Sequence, residues 1–248
     1  MLKFCTPNLP RGRVKQMLVS SLISEQIKDE LIALGIEAVF LKRTGNISTE
    51  LAYHPDILTL NVSEGKWIAE KGADYFPEYM NNVLTRVNLT ISGVYPQDCV
   101  FNSYIIGDTV FCGRNNAEIY KDIKELKQYN AVCLKQSYTK CSVIILEEKS
   151  LITSDKSIEK ALSQLGYNCL YVSNKGIGLN GFSCGFVGGC AGKISSDSLV
   201  FTGSIKAHKD YEEIKSFCGN LGISIYSLSN KPLYDYGGLL PVTEYSDK

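Results

Sequence analysis

The sequence predicts an α/β propeller, five pseudo-symmetric ββαβ units closed around a central channel. Three observations carry that expectation. A unit of strand, turn, strand, helix and strand recurs three times in succession, at a spacing of about 40 residues that marks repeat architectures. Two less regular copies precede these three. The first copy lacks one strand, and the residues after the fifth are placed to supply it and close a ring.

In the first unit (14–45), residues 17–20 form a strand, and a helix carries Ile27, Leu31 and Leu34 on one face. Gly35 ends that helix before a second strand at 36–41. The second unit (54–92) has a hairpin from 57–62 and 67–69, a helix through Tyr79 and Met80, and a closing strand at 87–91. The third (101–138) pairs 103–106 with 110–112, runs a helix from Asn116 with Ile119, Ile123 and Leu126 on one face, and ends at 131–134. The fourth (141–180) is the most regular. Its hairpin joins 143–146 to 151–153, Asp155 caps a helix bearing Ile158, Ala161, Leu162 and Leu165, and Gly166 turns the chain into a strand at 167–172. The fifth (186–238) pairs 191–194 with 199–201, caps a helix with Asp210, and ends at 223–226. Residues 239–242 then complete the first unit, with Pro241 weakening the pairing. No linker or composition shift separates the units, so a single domain over 1–248 is expected.

Composition excludes several functions. With 26 basic and 26 acidic residues the formal net charge is zero, so nothing electrostatic favours nucleic acid or an anionic membrane. No apolar run approaches the ~20 residues of a membrane span, and no secretory signal is legible, which predicts a cytoplasmic protein. Nine cysteines, an odd number without a Cys-x-x-Cys pair, argue against a disulfide framework and a structural zinc site. No metal or cofactor is expected. The tripeptides at Asn46, Asn61 and Asn88 match the glycosylation acceptor and read as coincidence. Gly176-Ile177-Gly178-Leu179-Asn180-Gly181 satisfies a dinucleotide-binding pattern literally, but further glycines stand where its helix should begin. The plainer reading is a connection whose glycines let backbone approach the ring centre.

Four stretches then carry a resemblance: Tyr95-Pro96-Gln97-Asp98 with Phe101-Asn102, Lys135 to Ser142, Gly185-Phe186-Val187-Gly188-Gly189, and Asp235-Tyr236-Gly237-Gly238. Together with the five-unit grammar they resemble the pentein fold of guanidino-group-modifying enzymes, and more closely an uncharacterised bacterial family assigned to that fold. The resemblance implies a cysteine thiolate attacking a guanidinium carbon, a histidine moving protons and carboxylates holding the cation. His54-Pro55-Asp56 is similar to the His-x-Asp element of those enzymes. The chain departs from them in order, because the enzymes carry that element in a later unit and their cysteine near the C terminus. No cysteine here follows Cys218.

His54, Asp98 and Cys141 stand at or just before the starts of successive units, where a ring would bring them to one axis. They are the candidate catalytic set, with Asp56, Asn102, Lys135 and Asp235 as candidate substrate ligands. Lys140 and Lys135 would favour the thiolate of Cys141. A packed structural thiol at Cys141, a satisfied histidine at a strand entry for His54 and a turn role for Asp235 stay open. His208, beside a helix cap, is expected in solvent. Two function classes follow: a cysteine-dependent hydrolase or amidinotransferase acting on a guanidine or amidine, or a catalytically silent pentein binding a small molecule or a protein. Oligomeric state is left open.

Overall fold

The structure, a computed structural model, describes residues 1–45 and 47–246; Asn46, in one of the acceptor tripeptides, and residues 247 and 248 lie outside them. The chain opens with β1 (Leu2–Phe4), β2 (Val14–Ser20), α1 (Glu25–Ala33) and β3 (Glu37–Leu41). The second unit holds a one-turn helix α2 (Pro55–Leu58), then β4 (Leu60–Ser63), β5 (Lys66–Glu70) and β6 (Leu84–Val87). The third holds β7 (Tyr104–Ile106), β8 (Thr109–Gly113), α3 (Arg114–Tyr120) and β9 (Asn130–Leu134). The fourth is β10 (Val143–Glu147), β11 (Ser150–Thr153), α4 (Lys156–Gln164) and β12 (Asn168–Tyr171). The fifth is β13 (Ala191–Ser195), β14 (Ser198–Phe201), α5 (Tyr211–Asn220) and β15 (Ser224–Ser227), followed by β16 (Leu240–Tyr245).

These strands form five separate sheets. In units two to five an antiparallel hairpin is followed by a parallel third strand, as in β10-β11-β12. In the first, β16 takes the missing place and pairs antiparallel with β2, Leu240 opposite Leu18 and Pro241 opposite Met17. The register shifts between Pro241 and Thr243, so the proline, which has no N–H to give a ladder, sits at an irregularity. Beyond the predicted closure, β1 adds to the other edge of β16.

Apolar side chains seal each boundary between units. One cluster runs from Leu18 through Trp67 to Val110 and joins units one to three. Tyr104, Phe111, Leu151 and Leu162 join the third to the fourth. Ile152 and Phe201 join the fourth to the fifth, and Met17, Val19 and Val200 join the fifth to the first. The first strands face one another inside, β4 against β7, β10 against β13 and β13 against β16.

Several local expectations change. The helix through Tyr79 and Met80 is a 3-10 turn, Glu78–Asn82, pressed between Pro77 and the start of β6. The helix from Asn116 breaks at Tyr120, whose hydroxyl donates to the carbonyl of Val100 at 2.6 Å, and a separate 3-10 turn carries Leu126 into the core. Asp155 caps α4 as predicted, accepting from the amides of Ser157 and Ile158. Asp210 makes no side-chain cap; its carboxylate accepts from the amide of Ser173. His208 is buried rather than solvated, with Nε2 at 2.9 Å from the carbonyl of Ser173 and Nδ1 accepting from the amide of Asp210. Both side chains tie the segment after β12 to the entry of α5.

Ring closure supports two predictions. Glu244 on β16 is 1% exposed and accepts from the amides of Arg11 and Gly12 at 2.6 and 2.8 Å, with Lys3 at 3.3 Å. Glu244→Ala leaves the buried amide of Gly12 unpaired and releases that of Arg11, and should cost about 2 kcal/mol, read as a lower denaturant midpoint at unchanged m-value. All nine cysteines are free thiols, and burial pushes Cys99 and Cys112 up to about 12 and Cys218 to about 11. A thiol pKa raised by folding contributes stability that is intact below the unfolded value and declines as pH rises toward the folded one. Stability should therefore fall from pH ~8.5 upward, by about 1.4 kcal/mol per pH unit for each such thiol. A flat Tm between pH 8.5 and 10.5 would contradict this.

Candidate active site

The five segments that enter the innermost strands meet at the ring axis. The segment before β4 brings His54 and Asp56, that before β7 brings Asn102, and that before β10 brings Lys140 and Cys141. The segment before β13 brings Gly188 and Gly189, and that before β16 brings Asp235, Gly237 and Gly238.

His54 precedes α2, whose first helical residue is Pro55, and its carbonyl accepts from the amides of Ile57 and Leu58. That turn holds the carboxylate of Asp56 inside the ring, where neither oxygen has a partner at hydrogen-bonding distance and angle, although the Cys141 thiol lies near enough to feel it as an acceptor. Asp56 also donates its amide to the carbonyl of Gly237, so the start of unit two is tied to the end of unit five.

Asn102 holds the cysteine at two atoms and each of two neighbouring residues at one. Its Oδ1 accepts from the amides of Lys140 and Cys141 at 2.8 and 3.1 Å, and its Nδ2 donates to Cys141 Sγ and to the carbonyl of Asp56, each at 2.9 Å. With 0% exposure the amide is fully occupied, and it fixes both the backbone and the sulfur of Cys141.

Asp235 is fixed by the amides of Phe186, on Oδ2 at 2.9 Å, and Gly237, on Oδ1 at 3.0 Å. His54 Nδ1 lies 3.7 Å from Oδ1 and makes no hydrogen bond. Two glycines make this approach possible. A Cβ on Gly189 would stand 1.8 Å from Asp235 Oδ1, and Gly237, at φ +80°, leaves no room for one against His54. The literal dinucleotide pattern at 176–181 leads to no α-helix among the described residues, only a 3-10 turn, Val187–Cys190, that carries these glycines inward.

Electrostatically, the thiol differs from the expectation. Burial pushes Cys141 well above the usual thiol range, and Asp56 and Asp235 push it further; only the Asn102 amide acts the other way. Lys140, fully enclosed, is itself pushed down by burial, with Asp56, Cys141 and Asp235 opposing. Lys135 is exposed after the end of β9, outside the cluster. Burial first, and then two carboxylates, therefore outweigh the predicted cationic help and favour the neutral thiol. Asp235 is also raised, by burial first, against His54.

Asp98 makes no hydrogen bond to the axial set among the described residues. Its Oδ2 accepts from the hydroxyl of Tyr138, while Oδ1 is buried without a partner. The Tyr138 ring stacks on Phe186 at 6.1 Å between centroids and neighbours the exposed Tyr95. Hydrogen bonds and close contacts thus group Cys141, His54, Asp56, Asn102 and Asp235, while Asp98 is held by Tyr138 and Lys135 is exposed. Sequence reasoning missed Lys140 as a member of the axial set, and Tyr138 with Phe186 beside it. The signal was their presence in the unit-entry stretches.

No helix among the described residues is long and apolar enough to cross a membrane, and none of their His, Cys, Asp and Glu side chains group into a metal-binding cluster.

No curated protein sequence matches the chain. Solved structures do. Inosamine-phosphate amidinotransferase from Streptomyces griseus superposes with a TM-score of 0.62 at 8% identity, over 98% of this chain and 97% of that one. The dimethylarginine dimethylaminohydrolase of Pseudomonas aeruginosa, solved with citrulline, gives 0.54 at 12% identity, over 88% and 92%. A C. jejuni agmatine deiminase with substrate bound gives 0.53 at 12% identity, over 96% and 95%. These likenesses identify the five-unit ring as the pentein fold. Residues 18–240, nearly the whole chain, match the sequences described as Family of unknown function (DUF6873), and the chain belongs to that family.

Proposed function

We propose that the protein is a cysteine-dependent enzyme acting on a small guanidine or amidine compound, with Cys141 as nucleophile and His54 as acid and base. Asp56 and Asp235 hold the substrate cation. One observation carries the reading: a cysteine, a histidine and two carboxylates share a buried axis, and both oxygens of Asp56 lack a partner. An unpaired buried carboxylate is costly. A planar cation with paired N–H donors is the ligand chemistry that answers it.

The same geometry supplies a reason for a thiol that is neutral at rest. Burial raises Cys141 first, and a guanidinium seated on Asp56 and Asp235 cancels the further push of those two carboxylates and adds a positive charge beside the sulfur, so the thiolate is favoured when substrate is present. The sulfur then attacks the central carbon, the C–N bond breaks, and the thiol proton passes by way of His54 to the leaving amine. Asp235, beside His54 Nδ1, stabilises the imidazolium in between. Water or an amine finally displaces the sulfur.

A second reading, a catalytically silent ring that binds a small molecule or a protein, is favoured by the 3% exposure of Cys141. Incubation with agmatine, dimethylarginine and free guanidine separates the two. The enzyme reading expects amine release and a covalent mass increase confined to Cys141, and losses of at least about 100-fold in Cys141→Ser and His54→Ala. A thermal shift with no product from any compound would favour the binding reading.

Asn102 gives a second test. Removing its amide takes away the donor that favours the thiolate, so in Asn102→Ala the acid limb of the kcat/KM profile should move to higher pH. Asn102→Gln should restore part of the shift. An unmoved profile would show that the amide only supports the backbone.

A further inference from the structure

Beside the axial cluster lies a cavity of about 10 Å³, lined on its polar side by Asn8, Asp56, Thr59, Asn61, Ser103 and Lys140. That is the room of one water molecule. Three buried oxygens of its lining residues have no hydrogen-bond partner: both of Asp56 and Oδ1 of Asn61. All three are acceptors, and each calls for a donor. The hydroxyl of Thr59 is already committed to the carbonyl of Ile68 at 2.7 Å, and Ser103 Oγ accepts from Tyr120 at 2.8 Å. Behind them, Trp67 and Leu240 close the wall.

We propose that this cavity seats the hydrolytic water, and that the reaction ends in hydrolysis rather than in transfer to an amine. The inference rests on the cysteine chemistry proposed above. A water giving one hydrogen to Asp56 and the other to Asn61 satisfies two of the three oxygens, leaves the second Asp56 oxygen for the substrate cation, and keeps its lone pairs free. Asn102 Nδ2 donates at 2.9 Å both to the carbonyl of Asp56 and to Cys141 Sγ, and Lys140, next to Cys141 in the chain, lines the cavity, so the water is held close to the carbon that the sulfur would carry. Its oxygen adds to the thiouronium carbon while Asp56 takes one proton. The C–S bond then breaks with its electron pair returning to sulfur, and the second proton goes to His54, leaving a neutral urea. An acceptor amine with even one carbon exceeds the cavity. Asn61 is thereby a positioning residue for water, and an aliphatic side chain at 61 would close the space.

The test follows the Cys141 adduct in the full-length protein by rapid quench and intact mass, with agmatine, dimethylarginine and free guanidine as probes. In Asn61→Leu the first release of amine should proceed within a few-fold of wild type, while turnover falls about 100-fold and adduct accumulates, as for loss of a general-base step. Asn61→Ser, which keeps a small polar side chain, should lie between the two and guards against misfolding of the leucine variant. Adding glycine as an acceptor should leave the urea as the one product. Adduct that turns over in Asn61→Leu at the wild-type rate, or amidino transfer to glycine, would overturn the assignment. If wild type forms no adduct with any probe, the proposed function fails instead. The cavity is then judged by a high-resolution crystal structure, where an ordered water bonded to Asp56 and Asn61 is expected and its absence refutes the site.

Discussion

Pairing of β16 with β2 closes the ring, and the axial contacts depend on it. The residues just before β16 include Asp235 and Gly237, and the residue they meet across the axis, His54, follows the first unit. The amide of Asp56 to the carbonyl of Gly237 spans the same junction. Opening that seam would separate one carboxylate from the histidine and leave the other four units bonded as before. Fold closure and site assembly are in this respect a single event, which explains why β16 carries a buried glutamate that binds two amides of the N-terminal segment.

Closure also imposes an electrostatic problem. The axis takes Asp56, Asp235, Lys140 and His54 out of water, and charges so buried are tolerated only when well paired. Pairing here is incomplete. The His54 contact with Asp235 is 3.7 Å, and Lys140 influences both carboxylates without forming an ion pair within 4 Å among the described residues. Burial answers part of the imbalance by raising Asp235 and the thiol and lowering Lys140, each toward its neutral form. What is left is a site with acceptors in excess. That surplus would be neutralised by a donor-rich cation, and it is the physical basis of the proposed function.

The ring was legible in the sequence because each unit repeats its own punctuation. Apolar doublets around Gly107-Asp108 and Glu147 to Ser150 mark hairpins, and Asp155 and Gly166 bracket α4. The missing strand of unit one pointed to the residues beyond unit five. That His54, Asp98 and Cys141 stand at unit starts, where a ring could bring them together, was legible for the same reason, with Asn102 and Asp235 added only through the resemblance. Which way their charges act was not. Lys140 adjoins Cys141 in sequence and suggests a thiolate, but burial and two carboxylates from other units set the balance, and neither is a property of sequence neighbours. Lys135 and Asp98 show the same limit, since proximity along the chain does not say which side chain turns to the axis. His208 looked like a surface residue because its partner, the carbonyl of Ser173, lies 35 positions away.

The glycine-rich run from Gly176 to Gly189 shows how a narrow axis divides labour among five units. Each entry segment must reach the centre, yet the space there cannot hold five sets of side chains. The segments at His54, Asn102, Cys141 and Asp235 bring functional groups. The segment at Gly188 brings backbone alone: its Cβ would fall 2.5 Å from the carbonyl of Lys140, and that of Gly189 within the carboxylate of Asp235. In return, the Gly189 carbonyl accepts from the amides of Tyr236 and Gly238, and its amide donates to the carbonyl of Cys141. A stretch that matches a phosphate-binding pattern by composition thus works as a spacer of minimal width, whose main chain links the cysteine segment to the aspartate segment. The glycines are demanded by the fourfold crowding of the other entries, and a bound nucleotide is not needed to account for them.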